Sequence, residues 1–230
     1  IAQCIVSPPT SSWAKRFGGT GTSIGKSVVA KNNNIVIAGY TDSPNIDFGG
    51  GNLASLGGRD IFLAKFSSVG QHQWSKRLGS SSNDEPFSVV IDSNDNIFIV
   101  GYFQNTINLG GGNLISAGGA DIFVAKYSSN GTHLWSKRFG GTGSEKAYGL
   151  VVDINNNIFI TGYFQGSISF GGSTLTSAFG GFDIFLVKLS GVDGGHLWSK
   201  NFSSGSDDIG YALAVDSNSD IVLAGTFLGS

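Results

Sequence analysis

The sequence predicts an all-β protein built from four copies of one unit, and three observations lead to that prediction. A tryptophan recurs every 61 to 63 residues, followed by Ala-Lys-Arg, Ser-Lys-Arg or Ser-Lys-Asn: Trp13, Trp74, Trp135 and Trp198. An isoleucine opens a short apolar run 22 or 23 residues after each tryptophan: Ile35, Ile97, Ile158 and Ile221. Helical spacing of apolar residues is sustained nowhere, so essentially no helix is expected. A repeat unit cannot bury its own faces and has to stack on its neighbours.

Each unit is predicted to hold four strands in two hairpins. In the second unit, the β-rich runs 89–91 and 97–100 flank the Asn/Asp loop 92–96, which is a hairpin signal. A second hairpin is expected from 122–126 through a turn into 133–137. The Gly-rich stretch between the two hairpins is expected to form an extra small hairpin on the edge of the sheet.

Radial stacking of these small sheets is the arrangement that the pattern favours. The run 97–100 is apolar on both faces, so each sheet needs a neighbour on both sides. The predicted fold is therefore a β-propeller of about four four-stranded blades, forming a single domain over residues 1–230. The approximate units are these: 13–73, 74–134, 135–197, and 198–230 together with 1–12.

Ring closure is predicted from a shortage of strands at the two ends. The second hairpin is complete three times, beginning at Asp60, Asp121 and Asp183. Residues 1–6 and a strand at Trp13 are expected to complete the last blade, so that the N- and C-terminal strands share it. Two alternatives stay open: two chains that join into a ring of eight units, and a piece of a longer propeller.

Composition and charge exclude several classes of function. The chain has 230 residues, of which 40% are hydrophobic and 13% charged, with a net charge of −2. No basic field for nucleic acid or anionic lipid is expected, and no apolar run is long enough to span a membrane. The single Cys4 cannot form an internal disulfide and is expected to be buried, or else to crosslink to another chain. Because the chain begins with Ile1 and shows no signal peptide, processing or a fragment is expected.

No catalytic residue is predicted. His72, His133 and His196 all stand two residues before a tryptophan, and a residue needed once per unit serves packing rather than catalysis. The tryptophans are expected to pack between blades. Lys65, Lys126 and Lys188 follow the recurring aspartates by five residues and are expected to bond to an adjacent blade.

Two sets of polar residues are candidate ligands. Three acids that stand ten residues after a tryptophan are expected to ring the central opening: Asp84, Glu145 and Asp208. The Asx loops are weak calcium candidates, because alternate Asp and Asn side chains supply the oxygens that hard cations bind: Asp92, Asn94 and Asn96, and Asp153, Asn155 and Asn157. Hairpin-turn chemistry is the favoured explanation of these loops, so no cofactor is expected beyond this weak calcium candidate.

One stretch resembles a known family. Residues 121–131, DIFVAKYSSNG, followed by HLWSKRFGGTGSEKAYGLVVDINNNIFITGYF, resemble the bacterial β-propeller repeat called SBBP and repeat-rich bacterial surface lipoproteins. The resemblance implies a secreted or surface-displayed scaffold. The chain departs from the family where Gly is common in the loops, with Asn33, Asp95, Asn156 and Ser219, and the first unit has Ala30 where the others have Asp.

Three classes of function follow from these observations. The favoured one is a non-enzymatic extracellular or cell-surface scaffold that binds a glycan or protein partner, as a monomer or a ring-completing dimer. The second is a purely structural or adhesive module. The third is a propeller enzyme, either a hydrolase or a quinoprotein-like oxidoreductase, for which no unrepeated catalytic constellation is found.

Overall fold

The computed structural model describes residues 13–178 and 180–228 and confirms the all-β propeller fold predicted from the sequence. These residues form twenty strands and contain no helix. Three complete four-stranded antiparallel sheets and one two-stranded sheet follow one another along the chain and are called blades 1 to 4. Because no helix occurs in the described part of the chain, none is available there to cross a membrane.

The blade strands have these bounds. Blade 1 contains β1 Ser23–Lys31, β2 Asn34–Thr41, β5 Asp60–Ser67 and β6 His72–Leu78. Blade 2 contains β7 Glu85–Ile91, β8 Ile97–Phe103, β11 Asp121–Tyr127 and β12 His133–Phe139. Blade 3 contains β13 Lys146–Val152, β14 Ile158–Gln165, β17 Phe182–Leu189 and β18 His196–Phe202. Blade 4 contains β19 Ile209–Val215 and β20 Ile221–Thr226.

The Gly-rich stretches form the extra small hairpins that the sequence predicts. They are β3 Asn45–Asp47 with β4 Asn52–Ala54, β9 Thr106–Asn108 with β10 Asn113–Ile115, and β15 Ser167–Ile168 with β16 Leu175–Thr176. Each hairpin packs a short apolar strand onto its own blade; Ile107, for example, is fully buried against blade 2.

The hairpin loops between the first two strands of each blade require a residue in the left-handed backbone conformation. The four residues that replace glycine there all have positive φ, between 60° and 67°: Asn33, Asp95, Asn156 and Ser219. Asn and Asp tolerate this conformation better than other side chains do. Blade 1 has a shorter loop because β1 continues past Ala30 to Lys31, which pairs directly with Asn34. The Asp-containing loop of the other blades is therefore replaced by a two-residue turn.

The first strand of each blade is the innermost, because β1, β7, β13 and β19 pack against one another in that order. The core lies between blades and within each sheet. One buried cluster joins Ile61, Leu63, Ile97, Ile99 and Phe123, and a second continues into blade 3. The strands β8 and β11 are buried along their whole length, as the unbroken apolar sequence of β8 and the apolar run 122–125 of β11 require.

The expected strand at Trp13 is absent, which corrects one prediction. Residues 13–22 run along blade 1 without pairing into a sheet. Trp13 nevertheless packs on Phe66, and Phe17 contacts both Phe48 and Phe66. The shared terminal blade stays a prediction, because residues 1–12 lie outside the described residues. In the described part of the chain, β19 packs against β13, β14 and β17 of blade 3.

Candidate ligand-binding site on the inner strands

A β-bulge occurs at the same place in every innermost strand. Pairing between the first two strands of each blade shifts by one residue there. The extra residues lie 13 positions after the tryptophan of the unit: Lys26, Phe87, Tyr148 and Tyr211. A bulge re-aims a side chain out of the regular alternation of a strand and is over-represented beside functional sites.

A glycine in the second strand makes room for each bulge. The facing glycines are the same in all four blades: Gly39, Gly101, Gly162 and Gly225. A Cβ on any of them would lie between 1.9 and 2.2 Å from a carbonyl oxygen at the start of the innermost strand. The close backbone approach therefore requires glycine at this place.

The four bulged residues contact one another across the blades and are called the inner row. The rings of Phe87 and Tyr148 are edge-to-face with centroids 4.6 Å apart, and those of Tyr148 and Tyr211 are 5.5 Å apart. Lys26 Nζ lies 4.9 Å from the centre of the Phe87 ring. Phe87 and Tyr148 are half-buried, whereas Tyr211 is 48% exposed. Burial raises the pKa of Tyr148 to about 12, so its hydroxyl is protonated at neutral pH.

Charged residues surround the inner row unevenly. Glu85 accepts a hydrogen bond from Arg59 at 2.6 Å, and its second oxygen lies 3.8 Å from Lys26 Nζ. Lys146 Nζ lies 4.1 Å from the centre of the Tyr102 ring, a cation–π contact. Among the described residues, no carboxylate lies within ion-pair distance of Lys146. Burial is the main cause that lowers the pKa of Lys146. The nearby positive charge of Lys26 lowers it further, whereas the negative charge of Glu85 opposes the shift.

The three acids predicted to ring the opening lie at the starts of the innermost strands, but they are fully buried. Asp84 accepts hydrogen bonds from Ser80 Oγ and Gln104 N, and Glu145 accepts one from Gly141 N. Asp208 accepts bonds from Ser204 N and Oγ and from Leu228 N. The carboxyl groups thus tie together chain segments at each blade junction and present no oxygen at the surface. Their role as ligands stays a prediction that no contact here supports.

A second buried carboxyl group lies near each of these acids. Each neighbour is the first polar residue in the third strand of its blade: Asp60 in β5, Asp121 in β11 and Asp183 in β17. Arg77 pairs with Asp60 at 2.8 Å and Arg138 with Asp121 at 2.6 Å, while Asn201 stands at this place in blade 3. Burial raises the pKa of both Asp84 and Glu145 to about 7, and the neighbouring aspartate adds to the shift in each case.

The weak calcium candidates are engaged in turn contacts. Asp92 Oδ1 accepts bonds from the backbone N–H groups of Asn94 and Asn96, each at 2.8 Å. Asp153 makes the same pair of bonds to Asn155 and Asn157. Lys188 Nζ lies 2.9 Å from Asp153 Oδ2. No cluster of three or more metal-ligating His, Cys, Asp or Glu side chains occurs among residues 13–178 and 180–228.

The repeated tryptophans and lysines link one blade to the next. Trp74 Nε1 donates to Ser129 O at 3.0 Å, and Lys65 Nζ donates to the same oxygen at 2.8 Å. Lys126 Nζ donates to Gly191 O in the following blade. Lys126 and Lys188 also lie within ion-pair distance of an aspartate of their own blade, Asp92 at 3.7 Å and Asp153 at 2.9 Å. Among the described residues, Lys188 donates no hydrogen bond to the following blade.

The histidines support the small hairpins. A Cβ on the central glycine of each small-hairpin turn would lie 2.2 Å from a histidine Cε1: His72 at Gly50, His133 at Gly111 and His196 at Gly172. His72, His133 and His196 thus pack against the small-hairpin turns, whereas Lys188 lacks the expected bond to an adjacent blade among the described residues.

The inner row was not among the residues predicted from the sequence. Its signal was the phase of the repeat, since the four residues stand at one fixed distance from the tryptophans. The bulge prevented its prediction, because an extra residue interrupts the alternation from which inward-facing positions are predicted.

Comparison with known proteins agrees with the architecture. The β-propeller repeat family SBBP matches residues 73–102 and 134–163, which cover the second-blade and third-blade inner hairpins with the preceding tryptophan strands. An uncharacterized WD repeat-containing protein of Acanthamoeba polyphaga mimivirus is 26% identical over 85% of this chain and 18% of its own length. The regulatory protein FlaEY of Caulobacter vibrioides is 25% identical over 74% of this chain and 18% of its own length.

The chain therefore spans less than a fifth of the length of these two curated relatives. Three complete blades, the inner hairpin of a fourth and the two matched stretches lead to one conclusion: the chain is a β-propeller repeat protein that is similar to the SBBP family over residues 73–102 and 134–163.

Proposed function

We propose that this chain is a non-enzymatic binding module, with the blades as a rigid scaffold and the inner row with its neighbouring charges as the ligand site. The observation that carries the proposal is that the backbone at one position of the blade is constant while its side chain varies. The bulge and its facing glycine are the same in all four blades, whereas the bulged residue is Lys, Phe, Tyr or Tyr. The scaffold requires the bulge and the glycine, and it leaves the side chain free to serve a ligand.

The exposed chemistry of the inner row suits binding. Aromatic side chains bury a large area with little loss of conformational freedom, and ligand sites combine such surfaces with a few polar groups. Glycans and protein surfaces both offer apolar patches of this kind, and a glycan is the first candidate. The histidines and the repeated aspartates are engaged in scaffold contacts, which supports a role without catalysis. We extend the proposal to an extracellular or bacterial surface location, on the basis of the resemblance to surface lipoproteins.

A glycan array probed with the labelled chain tests the binding function. Saturable binding that the variant Tyr211→Ala weakens is the expected result, because Tyr211 is the most exposed aromatic residue of the inner row. The matched control is Leu197→Ala on β18, which removes a similarly exposed apolar side chain from an outer strand.

Binding that is absent from the glycan array and from a panel of immobilised proteins would favour a purely structural module. Turnover in a screen of glycosidase, esterase and dehydrogenase substrates would favour an enzyme. Fractionation of the native host with an antibody to the chain tests the location.

A further inference from the structure

The inner row and its charges point to one chemical class of ligand, and this inference rests on the proposed binding function. We infer that the site binds an acidic saccharide, whose sugar face packs on Phe87, Tyr148 and Tyr211 and whose carboxylate pairs with Lys146.

Lys146 supplies the anion-binding group. Arg59 and Lys26 already face Glu85, so their charges are partly balanced. Lys146 is half-buried, contacts the face of Tyr102 and has no carboxylate partner among the described residues. A partly desolvated cation without a counter-ion gains a charge-assisted hydrogen bond when an anion binds. The site as a whole carries three cations against one carboxylate, although the chain has a net charge of −2.

The aromatic residues supply the apolar contact. Phe87 and Tyr148 meet edge-to-face at 68°, so they form a faceted surface instead of a stack of parallel plates. The C–H groups on one face of a sugar ring fit such a surface, because the face of an aromatic ring is electron-rich. The phenolic groups of Tyr148 and Tyr211 offer a hydroxyl that can both donate and accept hydrogen bonds, as sugar hydroxyls do.

Single-stranded nucleic acid is the competing anionic ligand with flat groups. Its recognition uses a basic groove that follows the backbone and aromatic platforms for successive bases. Among the described residues, the site has one cation without a carboxylate partner, Lys146, and its aromatic rings are not parallel, while the chain has a net charge of −2. The observations therefore favour the saccharide.

Isothermal titration calorimetry with matched ligands tests the inference. The probes are a hexamer of galacturonic acid, the same hexamer with its carboxylates methyl-esterified, and a ten-residue oligo-dT. We expect the acidic hexamer to bind, the esterified hexamer to bind at least tenfold more weakly, and oligo-dT to bind no better than the esterified sugar. Added salt should weaken the binding of the acidic hexamer.

Three variants place the contact on the protein. Lys146→Gln should weaken binding of the acidic hexamer about tenfold and leave binding of the esterified hexamer unchanged. Tyr211→Ala should weaken binding of both sugars by a similar factor. Lys200→Gln, which removes an exposed lysine of the outer strand β18, should change neither. Thermal melts of each variant confirm that the fold is retained.

Several results would overturn the inference. Equal binding of the two hexamers, no effect of Lys146→Gln, tighter binding of oligo-dT, or no binding of the acidic hexamer would each do so. The proposed function fails separately, when neither a glycan nor a protein binds and the chain proves inert or catalytic.

Discussion

Asp153 serves a turn and a sheet at the same time. One carboxylate oxygen accepts two backbone N–H bonds in its loop, and the other pairs with Lys188 of the third strand. Burial alone would raise the pKa of this carboxyl, but the bonds from Lys188 and Asn157 outweigh burial and lower it. Asp216 makes the same two loop bonds in blade 4, but it is exposed and has no lysine partner among the described residues. The two aspartates therefore separate the turn contribution from that of the ion pair.

We expect Asp153→Ala to lower the free energy of unfolding by about 3 kcal/mol, because Lys188 is left without its buried partner. Asp216→Ala, the matched control, should cost about 1 kcal/mol, the usual net value of the turn hydrogen bonds. Urea denaturation of both variants and the parent measures the difference. Equal losses would show that the ion pair contributes nothing.

Glu145 links folding to pH. Its pKa is about 7 in the folded chain, well above the ordinary value, because burial disfavours the charged form. Between about pH 4 and pH 7 the unfolded chain releases this proton while the folded chain keeps it. The free energy of unfolding therefore falls by about 1.4 kcal/mol for each unit that the pH rises through this interval, and it levels off above pH 7.

We expect Glu145→Gln to flatten this fall, because the neutral side chain has no proton to release. Asp84 has a similarly raised pKa and should leave a residual slope. Chemical denaturation at half-unit intervals from pH 4 to pH 8 measures both curves. Asp47→Asn is the control, since Asp47 is exposed and the N–H groups of Gly49 and Gly51 lower its pKa. A fall as steep in Glu145→Gln as in the parent would contradict the assignment.

At the scale of the strand, the inner bulge depends on one glycine. A Cβ on Gly162 would lie 1.9 Å from Lys146 O and 2.9 Å from Ala147 Cα, and neither backbone atom can move without shifting the bulge. Gly25, in the first strand of blade 1, offers a contrast, because nothing lies within 4 Å of the place where its Cβ would be.

We expect Gly162→Ala to cost about 3 kcal/mol, the upper part of the range for overpacking, because the clash is with backbone. It should also displace Tyr148 and weaken ligand binding. Gly25→Ala should change stability by no more than about 0.5 kcal/mol. Thermal melts followed by circular dichroism compare the two. An unchanged melt of Gly162→Ala would show that the bulge tolerates a side chain.

The strands could be predicted from the sequence because the repeat supplies the same evidence three or four times. The hairpins at Ile35, Ile97, Ile158 and Ile221 all form, as do the small Gly-rich hairpins. The bulges could not be predicted from the alternation of inward-facing and outward-facing residues, because the extra residue at a bulge interrupts that alternation. The burial of Asp84, Glu145 and Asp208 was also missed, because position in the repeat says where a residue lies along a strand and not what covers it.

At the scale of the molecule, the two ends of the blade series carry complementary features. Trp13 Nε1 donates to Ser68 O at 2.9 Å, as Trp74 does to Ser129 O one blade later. Residues 13–17 thus occupy on blade 1 the place of the outer strand of a preceding blade. At the other end, β20 pairs only with β19 among the described residues, whereas β2, β8 and β14 each pair with a third strand. Ile37 is partly exposed in blade 1, while its counterpart Ile99 is fully buried in blade 2.

An unpaired strand edge invites another strand, and residues 1–12 are the segment predicted to supply it. We expect deletion of residues 1–12 to lower the free energy of unfolding by about 4 kcal/mol, as two buried strand side chains at about 2 kcal/mol each would give. A variant in which these residues become a Gly/Ser linker of equal length is the control, and it should lose the same stability, because the effect lies in the side chains and not in chain length.

Light scattering on the parent then tells how the edge is covered. A parent and a deletion variant that are both monomeric, with a lower melting temperature in the variant, indicate closure within one chain, with residues 1–12 on β20 of the same molecule. A dimeric mass that the deletion reduces to a monomer indicates that two chains exchange these segments and form a ring of eight units, and the melting temperature then rises with protein concentration. A deletion that changes neither the oligomeric state nor the melting temperature would contradict both forms of closure. It would favour the alternative in which β20 pairs with a strand of a longer propeller.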